Sequence, residues 1–364
     1  MYQSSMSRRR LITLAGASAL GLSLGNQVRI QTAHAALADS YELIDLGVTG
    51  VAPRPELGLF FMNDQGVAVG TTFVDIEKDS PWYWRDGELT RIKTGKFGAR
   101  ITSVNRDGLM GGREIIRWES ETVAIGRPVL WIDGEKEVLP YPDGVPGTIS
   151  GGAIVGISDA GTAFGYVMTE DSLYYPVSWT DGNASLLETI YPEGQGWVNV
   201  VNSFGGAFGQ SVGSTESIGT LWDAGSLLPV QYETIEGMTD WTIIGLDDAG
   251  RLLGHVSMNG VQSAAWSDMA FAQPQLLPAV NGQQEASLVG CSDGAGLLGG
   301  SITVGGKEHG VIWNDGEGIE LKSLVKSTKG LRLLAAESIT SSGVIAGDAV
   351  DGDGNRHPVI LMPI

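Results

Sequence analysis

The sequence predicts an all-β chain folded as a seven-bladed β-propeller of four-stranded blades. Three observations carry that expectation. One strand–turn–strand pattern recurs seven times along the 364 residues, at intervals of 43–48 residues. Four short strands per unit at that period fit a propeller blade. The ends are complementary: Tyr41-Glu42-Leu43-Ile44-Asp45-Leu46 reads as a fourth strand without its blade, and the last unit, which runs to Ile364, lacks one. The strand over 41–46 can complete the last blade and close the ring, which removes exposed sheet edges. Finally, no segment carries a sustained 3.6-residue apolar period with caps, so helix is expected to be minor.

Residues 1–35 hold four Arg and no Asp or Glu. A basic start at Ser7-Arg8-Arg9-Arg10 is followed by an apolar stretch from Leu11 to Leu24 and then by Ala33-His34-Ala35. The apolar run is shorter than the roughly 20 residues that span a bilayer. It fits the core of a signal peptide, with cleavage after Ala35. Ser7-Arg8-Arg9-Arg10-Leu11-Ile12-Thr13 resembles the bacterial twin-arginine (Tat) signal, with Sec export as the alternative route. The expectation is a signal peptide over 1–35 and a single propeller domain over 36–364, located in the periplasm or outside the cell. Cleavage would take the formal charge from −19 to −23, because four Arg leave and no acid does.

Each repeat then follows one order. An apolar strand ends in an Asn/Asp-rich turn, such as Asn63-Asp64-Gln65-Gly66, Asn105-Arg106-Asp107-Gly108 or Ser158-Asp159-Ala160-Gly161. Those residues tolerate the positive φ of tight hairpins. A second strand carries a second glycine, four residues after the first: Gly66/Gly70, Gly108/Gly112, Gly161/Gly165, Gly205/Gly209, Gly250/Gly254, Gly296/Gly300 and Gly343/Gly347. A third strand ends in Trp84, Trp131, Trp179, Trp222, Trp266 or Trp313, with Leu361 in the seventh place. A second hairpin signal such as Asp133-Gly134 leads to a fourth strand. If residues 41–46 lie outermost, the strand before each Asn/Asp turn is innermost. Small residues one step from its end (Ser103, Gly156, Gly245, Gly290, Ser338) then point to crowding near the axis.

The repeat overrides the two or three domains that length alone suggests. The 53 Gly become turn and strand punctuation. One Cys excludes a disulfide framework or a multi-Cys metal cluster, and the net charge of −19 argues against nucleic acid as a partner. Cys291 aligns with Val104, Ile157, Val201 and Leu246, an apolar slot.

Val104-Asn105, Asp107-Gly108 and Gly112, together with His309-Gly310-Val311-Ile312-Trp313, the weaker His357-Pro358-Val359-Ile360-Leu361 and Leu46-Gly47, carry a family resemblance. Over about residues 41–364 the units resemble the extracellular HAF repeat of bacteria. The resemblance implies export and a repeat fold, and it names no catalytic residue. The His stands in only two units, so it reads as a packing position.

Few motifs point to chemistry. Gly209-Gln210-Ser211-Val212-Gly213 matches the nucleophile-elbow pattern but falls on a second strand, without the strand–turn–helix context that the chemistry needs. Gly294-Ala295-Gly296-Leu297-Leu298-Gly299 lies on a hairpin turn, not before a helix, so a dinucleotide reading fails. Asp351, Asp353 and Asn355 offer alternating oxygens and are the one candidate for a metal, Ca²⁺; otherwise no cofactor is expected.

In a four-stranded blade both tight hairpins lie on one face of the disk. The other face collects the variable segments, including 113–127, 166–176 and 348–357. Trp118, Glu119, Glu121, Tyr174 and Tyr175 fall there and are the candidate ligand-face residues; aromatics beside carboxylates suit sugars or cationic groups. The function expected is a non-enzymatic exported binding module for a protein, glycan or small ligand, monomeric and with no transmembrane segment in the mature chain. The alternatives are a propeller lyase or hydrolase using carboxylates such as Glu119, Glu121 or Asp171, and a structural surface protein.

Overall fold

Alternating strands joined by short turns give seven antiparallel sheets of four strands each in the computed structural model of the chain. The structure describes residues 37–47, 61–75, 78–120, 124–132, 134–223, 226–230, 235–268, 273–280, 282 and 285–364. Arg8, Arg9, Ala33, Ala35 and Glu121 lie outside the described residues.

Blade 1 comprises Phe61–Met62, Ala68–Asp75, Lys78–Arg85 and Glu88–Arg91, and blade 2 comprises Ala99–Val104, Met110–Trp118, Ala124–Ile132 and Glu135–Val138. Blade 3 runs through Ile149–Ile157, Ala163–Thr169, Tyr174–Thr180 and Asn183–Leu186, and blade 4 through Gln195–Val201, Ala207–Val212, Ser217–Asp223 and Ser226–Pro229. Blade 5 is built from Met238–Leu246, Arg251–Met258, Val261–Asp268 and Gln275–Leu276, and blade 6 from Ala286–Ser292, Leu298–Val304, Lys307–Asn314 and Glu317–Glu320. Blade 7 takes Arg332–Ile339, Ile345–Val350 and Arg356–Pro363 from the end of the chain and Tyr41–Asp45 from its beginning. The N-terminal strand pairs antiparallel with Arg356–Pro363, Leu43 facing Leu361, so the ring closes as expected. The first strand of every blade touches the first strands of both its neighbours, which makes it the innermost. Helix is confined, among the described residues, to the single turn Leu321–Leu324 between blades 6 and 7.

The glycines divide by cause. The first glycine of each pair sits in the inner hairpin with positive φ, as at Gly66 (75°) and Gly205 (87°); in blade 6 Gly294 takes this role in place of Gly296. The second glycine answers a different demand. Six innermost strands carry a β-bulge opposite it, for example between Ile101 and Ser103 opposite Gly112. A Cβ on Gly112, Gly209 or Gly254 would lie 1.9 Å from the carbonyl oxygen of Arg100, Trp197 or Thr242. Backbone approach within the blade therefore excludes every side chain. The expected crowding at the axis is also present, since a Cβ on Gly156 would meet Val201 of the next blade at 2.4 Å.

The Asn/Asp turns do more than turn. The first turn residue accepts the N–H four residues on: Asn63 from Val67 (2.8 Å), Asn105 from Leu109 (2.9 Å), Asn202 from Gly206 (2.7 Å) and Asp247 from Arg251 (2.8 Å). Where it is Asn, its amide also donates to the next blade: Asn63 to the Asn105 carbonyl (2.6 Å), Asn105 to that of Ser158 (3.1 Å) and Asn202 to that of Asp247 (3.1 Å). Ser341 of blade 7 donates its N–H to Asp64 of blade 1 (2.7 Å), so the belt of turns crosses the closure point.

A second clasp runs near the rim. The linker residue after the outermost strand donates back to the third strand of its own blade, as Leu139 does to the Pro128 carbonyl and Leu187 to that of Pro176. The carbonyl one residue later receives the repeat Trp of the following blade: Trp179 Nε1 donates to Pro140 (2.8 Å), Trp222 to Glu188 (2.7 Å) and Trp313 to Pro278 (3.1 Å). These three indoles pack between blades with the N–H paired, which suits a buried amphipathic ring, whereas the Trp131 N–H of blade 2 is buried without a hydrogen-bond partner among the described residues.

Leu43 is 1% exposed in the closing strand, whereas Leu89, on the outermost strand of blade 1, is 38% exposed. Leu43→Ala is expected to cost about 2–5 kcal/mol of stability in urea denaturation, and Leu89→Ala less than about 0.5 kcal/mol. Equal losses would refute the closing role of residues 41–45.

Candidate functional site

The tight hairpins gather on one face, as the sequence suggests. Asp86-Gly87, Asp181-Gly182 and Asp315-Gly316 all have positive φ at both residues, the geometry of two-residue hairpin turns. The opposite face holds the connections between second and third strands and between blades. Residues 113–127, expected as a loop, instead extend the hairpin: Met110–Trp118 pairs with Ala124–Ile132 as far as Trp118 opposite Ala124, with a bulge between Ile115 and Arg117. Bulges re-aim side chains, and Trp118 is carried to the end of this extension.

Trp118, Glu119 and Tyr174 converge on one patch across blades 2–4. Arg100 stacks over the Trp118 ring, 5.9 Å from its centroid. Tyr174 meets Tyr166 edge to face at 5.3 Å between centroids and Trp197 at 6.1 Å. Burial, with Tyr166 and Glu119 nearby, raises the Tyr174 phenol above its ordinary value, while Arg113 acts the other way. Glu119 pairs with Arg117 at 3.1 Å on the exposed rim. Arg100 donates through Nε to Asp79, a fully buried carboxylate of blade 1, at 2.5 Å. Arg113 reaches the Ala124 carbonyl (3.4 Å) with its stem lying over Gly126, and burial lowers its guanidinium below the ordinary value.

Other sequence candidates fall elsewhere. Tyr175 is 3% exposed in the core of blade 3, because strand alternation turns it inward next to outward-facing Tyr174. In the 351–355 loop, Asp351 Oδ1 accepts from the N–H groups of Asp353 and Asn355, both at 2.9 Å, and Oδ2 from the Asn355 amide. His357 bridges that loop to Asp45 of the closing strand at 3.1 Å, so the loop braces the ring closure. Among the described residues no group of three His, Cys, Asp or Glu is placed to hold a metal ion. Ser211 of the elbow-like motif is fully buried, accepting from Thr220 Oγ1 (2.8 Å) and the Ile190 N–H (3.1 Å). Cys291 is half-buried, and its thiol, pushed well up by burial, donates to the Ala336 carbonyl at 3.4 Å.

Sequence reasoning missed Arg100, Arg113, Tyr166 and Trp197. A signal existed: the residue after each second glycine is Thr71, Arg113, Tyr166, Gln210, His255, Ser301 or Asp348, a slot whose chemistry varies from repeat to repeat beside an invariant glycine. A second missed feature lies on the axis. The bulged inner-strand residues are Thr102, Val155, Asn199, Ile244, Gly290 and Glu337. Glu337 is the one carboxylate among them. Its side chain is exposed to water, yet protein lies close enough to desolvate the carboxyl. That desolvation, with Asp348 and Glu308 adding and Arg356 opposing, raises its carboxyl to about 7.

These features define a closed seven-bladed β-propeller with an aromatic and arginine-bearing patch on its loop face. Among solved structures, the fold is similar to the β-propeller domain of the trilobed protease from Pyrococcus furiosus, itself described as an open velcro topology. The two chains share 8% identity at a TM-score of 0.54, over 90% of this chain and 94% of that one. A puromycin-hydrolysing peptidase of Mycobacterium tuberculosis is similar at 13% identity and a TM-score of 0.53, over 90% of this chain and 54% of that one. At these identities the likeness is one of fold. No protein-family model and no curated protein matches the chain.

Glu337 also sets a pH dependence. Its folded-state value lies above the ordinary 4.5, so the folded protein binds the extra proton between about pH 4.5 and 7. The associated stability is complete below that window and is lost as pH rises through about 7. Thermal melts from pH 5 to 8 should show Tm falling in the natural protein and a shallower fall in Glu337→Gln; identical slopes would contradict the assignment.

Proposed function

We propose that this chain is an exported, non-enzymatic binding module that works in the periplasm or outside the cell and takes its ligand on the loop face of blades 2–4. The observation that carries the reading is the convergence of Trp118, Tyr174, Tyr166 and Trp197 with Arg100 and Arg113 on partly exposed ends of strands. Rigid sheets hold these rings in place, and ordered aromatics lose little freedom when they bind. Export rests on Arg8-Arg9, the apolar run and Ala33-His34-Ala35, and the HAF-like repeats support the same address. No helix among the described residues is long and apolar enough to cross a membrane. A monomer is the working assembly state.

The enzymatic alternative draws less support from the acids it named. Glu119 is tied to Arg117, and Asp171 stands on the exposed turn between two strands of blade 3. Carboxylates that do influence one another are Glu337 and Asp348 on blade 7, and Asp248 with Asp159 on the inner turns of blades 5 and 3, so a hydrolase or lyase would be sought at such pairs.

Purified protein screened against envelope extracts and glycans should retain a ligand. Trp118→Ala and Tyr174→Ala should each weaken that binding about tenfold, with Tm within a few degrees of the natural protein. Undiminished binding by both variants, or turnover without a stable complex, would count against the reading.

A further inference from the structure

Ten asparagines stand in the chain, and only Asn183 is followed two residues later by Ser or Thr. Asn183-Ala184-Ser185 is the acceptor tripeptide of asparagine-linked glycosylation, with no Pro between amide and hydroxyl. A tripeptide is a short signal, so its placement in the fold has to carry the argument.

Three features of that placement suit an acceptor. First, the amide is accessible. Asn183 follows the two-residue turn Asp181-Gly182, where φ is 51° and 75°, and opens the outermost strand of blade 3, Asn183–Leu186. No strand lies beyond it among the described residues. Asp181, Gly182, Asn183 and Ser185 are all exposed. Second, alternation along the strand puts Asn183 and Ser185 on one face, while Ala184 between them packs against the blade 3 core. An enzyme can therefore engage the amide and the hydroxyl from the same side. Third, the amide is weakly held. Its Nδ2 donates to the Asp181 carbonyl at 3.3 Å in a solvent-exposed place, a long contact that water replaces at little loss. Asn63, Asn105 and Asn202, by contrast, use their amides to join adjacent blades. The strand itself is held by four residue pairs, beginning with Asn183 opposite Thr180, and such edge segments open locally without unfolding the domain.

We propose that the Asn183 carboxamide is a glycan acceptor, modified after export by transfer of an oligosaccharide from a polyprenyl-pyrophosphate-linked donor. Nδ2 attacks the anomeric carbon of the donor's first sugar. The new C–N bond forms as the C–O bond to pyrophosphate breaks, polyprenyl pyrophosphate leaves, and one amide proton passes to water. No redox change occurs, so an envelope oligosaccharyltransferase and its lipid-linked sugar are the partners required. Asp181, two residues before the amide, adds a carboxylate that a basic side chain of that enzyme can hold. The inference rests on the export proposed above and not on the loop-face ligand. Tyr174 and Thr180 are the two ends of one strand, so a glycan on Asn183, opposite Thr180, stands at the far end from the Tyr174 patch and leaves it open.

The test is mass spectrometry of the protein purified from its own cells, which reads both the N-terminus and the peptide containing Asn183. A chain that begins after Ala35, with a sugar-bearing fragment mapped to Asn183, is the expected result. Asn183→Gln and Ser185→Ala should each abolish the added mass. Ser185→Thr should keep it, because the transfer needs the hydroxyl and not the serine. All three variants should keep Tm within a few degrees of the natural protein, since the positions are exposed. A processed chain with an unmodified Asn183 overturns the inference and leaves export standing. Full modification of the Ser185→Ala variant, or sugar found only at other residues, overturns it as well. A chain that keeps residues 1–35 and stays in the cytoplasm removes the export reading and this inference with it.

Discussion

Seven innermost strands must converge on one axis, and the backbone carbonyls there leave no room for side chains. The second glycine of each repeat meets that demand. In six blades a bulge on the innermost strand drives a carbonyl towards the second strand. A Cβ at Gly165 or Gly300 would fall within 2.0 Å of a carbonyl oxygen. The same bulge takes one residue per blade out of the strand pairing, and in blade 7 that residue is Glu337.

Two hydrogen-bonded circuits hold the blades at their spacing. One joins turn to turn near the axis through Asn63, Asn105 and Asn202; the other joins indole to linker near the rim through Trp179, Trp222 and Trp313. Both satisfy groups that would otherwise be buried without partners, and that outcome is worth more than the modest net gain of each bond. Closure by Tyr41–Asp45 brings the two ends of the chain into the same blade. Asp45 reaches His357 and Asp64 reaches Ser341, so the two ends of the chain are tied on both faces. The loop face can then vary without cost to the ring.

Variation is concentrated where the template is silent. The slot after the second glycine places Arg113 and Tyr166 beside one another across the blade 2–3 boundary and places Asp348 on the far side of the ring. An otherwise repetitive scaffold thereby acquires a cationic, aromatic side and an acidic one. The extended hairpin of blade 2 adds Trp118 to the former.

The periodicity of Gly, Asn/Asp and Trp determined the blade count, the strand order and the closure, because turn geometry and close backbone approach restrict residue type locally. It misplaced Tyr175, since one step of strand alternation separates an exposed ring from a core one, and it read 113–127 as loop, since pairing beyond the repeat leaves no periodic mark. Which charges meet across blades was decided by the tertiary structure alone. Asp79 and Arg100 are 21 residues apart, and Tyr174 and Trp197 belong to different sheets. Only the curvature of the ring brings them together.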